Sequence, residues 1–210
     1  MKRWLWIVAA LGGIAAAVAF SLDRLVPSAP VTTFETRPDT RETAGLVSWR
    51  NPKADMAAFF PGSTRYVQKV LVLSDLRSQM VQRLGPRTVI DANSLYCFQV
   101  YRNDTRLGSV LAQRASGEYG AIEYIAAYNT RGQIVGVRLQ RMREPQSTVQ
   151  AIDNPKWLGS LNGKGTTSLF RLGDDVPAVT PTATQTAAAV LESLRRLTVE
   201  LNVARDHGRT

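Results

Sequence analysis

Apolar and polar positions change their period several times along this chain, and each change predicts a different element. Trp4 to Leu22 (WLWIVAALGGIAAAVAFSL) carries no charge over about 19 residues, close to the roughly 20 needed to cross a hydrocarbon core. Residues 25–55 keep neither a helical nor a strand period and contain Pro27, Pro30, Pro38 and Pro52, which reads as a tether. Phe59-Phe60-Pro61-Gly62 is an apolar entry followed by a turn, after which Ser63 or Thr64 is placed to cap a helix. Tyr66, Val70, Leu73, Arg77, Met80 and Leu84 follow helical spacing, and Gly85-Pro86 ends the run, so a packing helix is expected there.

Beyond it the period shortens. Tyr96 to Arg102, Leu107 to Gln113, Ala121 to Tyr128 and Gln133 to Arg141 are rich in aromatic and branched residues and read as four strands. Asn103-Asp104-Thr105, Ser116 to Gly120 and Asn129 to Gly132 separate them as turns. Connections this short imply an antiparallel meander. Pro155 to Gly165 reads as mixed turns around Trp157, a core or lid residue. A helix is expected from about Thr186, with Leu191, Leu194, Leu197 or Thr198, and Leu201 on one face and Glu192 beside Arg195 or Arg196 on another. Arg205 to Thr210 reads as a frayed end.

The organisation expected is therefore a membrane anchor or signal over 1–24, a linker over 25–55, one domain over 56–204 and a tail over 205–210. The fold class is α+β: an antiparallel sheet flanked by helices, behind an N-terminal transmembrane helix. Lys2 and Arg3 before the apolar run place the N-terminus in the cytoplasm and the domain on the outer side of the cytoplasmic membrane. Ala17-Val18-Ala19 leaves a cleaved signal peptide as the competing reading.

Composition narrows the chemistry. One cysteine, Cys97, excludes an internal disulfide framework and Cys-based metal sites within one chain, and its apolar neighbours make it a core residue. One histidine, His207, in a polar tail leaves Ser-His or Cys-His catalysis without a base. The net charge of +9 comes without a basic block or a nucleic-acid-binding signature. It suits a surface near anionic lipid or an acidic redox partner, and nucleic acid is not expected. No GxGxxG or Walker sequence is present, so no dinucleotide or NTP loop is expected.

Ala178 to Ala187 (AVTPTATQTA) is uncharged, small and hydroxyl-rich, and it stands just before the terminal helix. Hydroxyls and N–H groups at a helix start are suited to a phosphate. The same threonines, Thr184 and Thr186, can equally cap the helix.

Four pieces, in order, carry a resemblance to a known family: Phe59-Phe60-Pro61-Gly62 before a helix, Glu118-Tyr119-Gly120-Ala121-Ile122, NTRGQIVGVR from Asn129 to Arg138, and PTATQTAAAV from Pro181 to Val190. Over Phe59 to about Leu201 the chain resembles the FMN-binding domain of the G subunit of Rnf electron-transport complexes, shared by the C subunit of the sodium-pumping NADH:quinone reductase. The resemblance implies FMN joined through its phosphate to Thr184 by a dedicated flavin transferase. It also implies electron transfer within a membrane complex, with the other subunits as partners. Cofactor-binding residues carried over are Thr184, Ala183, Thr182, Thr186, Glu144, Tyr119 and Gly120. The chain departs from the family pattern in Thr182 for Gly, Pro181 for Ser, Ala178 for Asp, and Met142 to Thr148, where only Glu144 keeps its place. Those departures keep a second reading open, a flavin-free structural or assembly subunit. A third reading is a stand-alone flavoenzyme that binds FMN reversibly, for which the sequence offers no substrate site. Glu144 has a plainer reading as a surface carboxylate beside Arg141 or Arg143.

Overall fold

The computed structural model describes residues 31–33, 53–86, 88, 90 and 93–210. The expected membrane segment and most of the expected tether lie outside the described residues. Among these residues no helix is long and apolar enough to cross a membrane.

Six strands form one antiparallel sheet in sequence order. They are β1 (Val31–Thr33), β2 (Arg65–Val72), β3 (Ser94–Arg102), β4 (Thr105–Ser116), β5 (Ala121–Asn129) and β6 (Ile134–Arg141). The helices are α1 (Lys53–Phe59), α2 (Arg77–Leu84), α3 (Gln146–Ile152), α4 (Pro155–Gly159) and α5 (Thr184–Asp206). The α+β class and the meander expected from the short turns are both present.

The helix expected from Ser63 or Thr64 is not. Arg65–Val72 is a strand that pairs along its whole length with β3, from Arg65↔Tyr101 to Val72↔Ser94. Tyr66, Val70 and Leu73 fit a helical period, but Val67, Val70 and Val72 lose side-chain freedom in a helix and pack well on a pleated surface. The partner strand decides between them. Thr64 braces the hairpin turn instead of capping a helix, its Oγ1 accepting from the Asn103 N–H at 2.7 Å. The helix starts only at Arg77 and stops at Gly85, as the Gly-Pro pair implies.

Strand β5 is buried on both faces. Ile122, Tyr124, Ala126 and Tyr128 join the main core with Leu76, which lies just before α2, with Met80 and Leu84 of α2, and with the apolar stripe of α5. Ile125 and Ala127 join a smaller core with Met56 of α1, Phe60, Tyr66, Phe98 and Val100. A carboxylate pins α1 to that face: Asp55 accepts from Arg138 Nη1 at 2.5 Å and from Gln140 Nε2 at 2.8 Å.

Helix α5 runs 23 residues. Its buried polar groups face hydroxyls of β5, Ser193 meeting Tyr124 at 2.8 Å and Thr198 meeting Tyr128 at 3.1 Å. Asn202 Nδ2 donates to Gly132 O in the β5–β6 turn at 3.1 Å. The tail is fastened where fraying was expected. The Arg209 guanidinium donates to both oxygens of Asp75 and to Val72 O, and His207 Nδ1 donates to Val203 O at 2.8 Å. Cys97 is fully buried, and burial pushes its thiol up to about 11, which leaves it inert at neutral pH.

Candidate functional site at the start of the last helix

A 3₁₀ turn, Pro181–Ala183, leads without a break into α5. Pro at the first position has the φ a helix start requires, and its missing N–H is no loss there. The consequence reaches the donors. Ala183 N donates to Thr180 O at 2.9 Å, and Thr184 N donates to Pro181 O. Two of the N–H groups that a bare helix start offers to a phosphate are thus engaged within the turn itself. No side chain caps either segment, so the capping role open to Thr184 and Thr186 is not taken.

The four threonines of this stretch differ sharply. Thr180 and Thr182 are exposed, with their hydroxyl oxygens 3.3 Å apart. Thr184 is exposed, and its hydroxyl donates back to Thr180 O at 3.2 Å. Thr186 is fully buried, and its Oγ1 donates to Glu144 Oε2 at 2.9 Å. Ala183, also fully buried, seats the turn in the main core. Thr148 Oγ1 of α3 donates to Thr182 O at 3.2 Å and fixes the turn from the other side.

Glu144 is the centre of the site. It is 9% exposed, not a surface carboxylate paired with Arg141 or Arg143. One oxygen takes the Thr186 hydroxyl and the other takes the Tyr119 N–H at 3.1 Å. A Cβ added at Gly117 would lie 2.2 Å from Glu144 Oε1, so only glycine there lets the carboxylate enter the loop. The loop closes on itself through Gly117 N to Gly120 O at 2.8 Å. The Tyr119 ring stands 58% exposed above it. Three of the residues singled out in the sequence, Tyr119, Glu144 and Thr186, therefore form one hydrogen-bonded unit. Gly120 shapes the same loop, while the Thr182 and Thr184 side chains lie outside that unit.

Trp157 is buried in the main core and donates Nε1 to Pro177 O at 3.2 Å, fixing the approach to the turn. Asp175 organises the loop before it. It accepts from the N–H groups of Leu169, Phe170 and Arg171 and from Lys164 Nζ. Burial works against its charge, but the Arg171 N–H, Lys164 and the Phe170 N–H outweigh it and hold the carboxyl down at about 2. Sequence reading passed over Asp175 as a structural centre; its signal is the Gly173-Asp174-Asp175 turn, which does not say which acid is engaged.

A groove of about 490 Å³ runs between α5 and the end of β4, lined by Ser116, Ala189, Glu192, Ser193 and Arg196 among others. Ala189 is five residues past Thr184, which at roughly 100° per residue turns it about 140° round the helix. Thr184 and the groove thus look in different directions. Among the described residues no group of His, Cys, Asp and Glu could hold a metal ion. Compared with known proteins, the chain matches no family model and no curated protein.

Proposed function

We propose that this chain is a membrane-anchored electron-transfer protein of the FMN-binding type, with its domain outside the cytoplasmic membrane and FMN phosphoester-linked to Thr184. The observation that carries the reading is the state of Thr184: an exposed residue at the start of a 23-residue helix, two positions before Thr186, which Glu144 holds on another face. An attaching enzyme can reach that oxygen. Thr186 is closed to it by burial and by Glu144.

The residues present fit a covalent link better than a phosphate cradle. The Ala183 and Thr184 N–H groups are engaged, and the Glu144 carboxylate stands at the first turn of α5, where its charge opposes a free phosphate. Reversible FMN binding is disfavoured on the same grounds. A bound flavin would supply the redox chemistry, while the chain supplies attachment and position. The partners on this reading are a flavin transferase, the membrane and the other subunits of a redox complex.

One observation favours the flavin-free alternative, a structural or assembly subunit. The two oxygens of Glu144 are taken by the Thr186 hydroxyl and the Tyr119 N–H, so the carboxylate is engaged without a cofactor. In-gel flavin fluorescence separates the two readings. Denatured full-length chain made beside an active flavin transferase is expected to fluoresce, and the signal is expected to vanish in Thr184→Val. A dark band for the unsubstituted chain would favour the structural subunit.

A further inference from the structure

The loop that Glu144 pins carries its own surface, independent of any cofactor. Exposed loop tips are ordinarily mobile. This one is held by a buried carboxylate on the Tyr119 N–H and by its own Gly117–Gly120 hydrogen bond. It presents the Tyr119 ring 58% exposed. Arg143 lies alongside, its Cβ and Cδ each 3.8 Å from where a Gly120 Cβ would stand. Arg141, exposed at the end of edge strand β6, stands opposite Glu123, whose Oε1 is held by Arg114 at 2.6 Å. Among the described residues neither Arg141 nor Arg143 forms an ion pair.

We propose that Tyr119, Arg141 and Arg143 form a docking surface for a partner protein that presents carboxylates around an apolar spot. A rigid exposed tyrosine flanked by arginines has the composition of an interface hot spot, and its fixed backbone lowers the ordering cost of binding. Guanidinium groups pair with carboxylates in two-bond geometry. Glu118, exposed in the same loop, decides between a protein and a lipid surface. Its negative charge is repelled by a uniformly anionic membrane, whereas a protein surface of mixed charge accommodates it. A single aromatic also falls short of the broad apolar face with which a chain settles into a bilayer interface.

The test places a photocrosslinker in the full-length chain, Tyr119→p-benzoyl-phenylalanine, expressed in its native cells. Adducts are identified by mass spectrometry. The expected result is a crosslink to an acidic stretch of another protein, with yield about tenfold lower in Arg141→Glu/Arg143→Glu and largely restored in Arg141→Lys/Arg143→Lys. A lipid adduct, no adduct, or a yield unchanged by charge reversal would overturn the proposal. Both arginines are exposed, so the variants are expected to melt with the unsubstituted protein. If the reversal pair melts early, Arg141→Gln/Arg143→Gln gives the same reading with the surface charge merely removed.

Discussion

Helix α5 holds its hydroxyl residues in two contrasting states. In its body, Ser193 and Thr198 are buried and matched to Tyr124 and Tyr128, each polar atom answering another across the core. At its first residue Thr184 is exposed and makes one long bond to its own turn. The same chemical group is a structural fastener in one place and an available oxygen in the other. Burial and partners make the difference. Burial also pushes both tyrosine hydroxyls well above their ordinary range, so they stay protonated and structural at any physiological pH.

The largest expected break in this contrast comes from the body of the helix. Leu194→Ala removes a fully buried side chain from the main core and is expected to cost about 2–5 kcal/mol in urea unfolding. Thr184→Val, ten residues earlier, is expected to stay within about 0.5 kcal/mol of the unsubstituted protein. Equal losses at the two positions would erase the distinction. Gly132→Ala is the next in size. Gly132 has φ +78 and a Cβ there would meet Asn202 Oδ1 at 2.1 Å, so about 2 kcal/mol or more is expected from strain and a broken turn contact.

Glu144→Leu leaves the Tyr119 N–H and the Thr186 hydroxyl without their acceptor, at about 1–3 kcal/mol, and frees the loop. Faster amide exchange at Tyr119 is the reading that ties the loss to this clamp and not to packing elsewhere.

The smallest effect is a pH dependence in the loop before the helix. Asp175 ionises at about 2 in the folded chain against about 4 unfolded, so its stabilisation is present above pH 4 and lost as pH falls towards 2. Asp175→Asn is expected to cost about 1 kcal/mol at pH 7, solvent screening of this partly exposed carboxylate reducing the effect. The gap from the unsubstituted protein should narrow between pH 4 and 2. A gap constant over that range would assign the effect to packing alone.

Much of the fold was legible because the informative signals are local. Turn residues at Asn103 to Thr105 and Asn129 to Gly132 fix where the strands reverse, and the leucine stripe of α5 sets its buried face. Strand β2 escaped because Tyr66, Val70 and Leu73 fall at helical spacing, and only pairing with residues 94–101, distant in sequence, makes the segment a strand. The Glu144 contacts escaped for a similar reason. Its partners lie 25 and 42 positions away, and nothing near Glu144 in sequence signals burial. The short helices α3 and α4 carry too few residues to show a period. Thr184 stands out by the resemblance of Pro181 to Val190 to a family motif, but its exposure depends on how the 3₁₀ turn seats Ala183.

The central claim is that the Thr184 oxygen is an attachment point, and intact-mass measurement tests it most directly. Full-length chain made beside an active flavin transferase is expected to gain the mass of one FMN less one water: the Thr184 O–P bond forms as the phosphoanhydride bond of an activated flavin dinucleotide donor breaks, and the nucleoside monophosphate leaves with the hydroxyl proton. The Thr184→Val chain is expected to keep its bare mass. Unsubstituted protein that also keeps its bare mass would contradict the account.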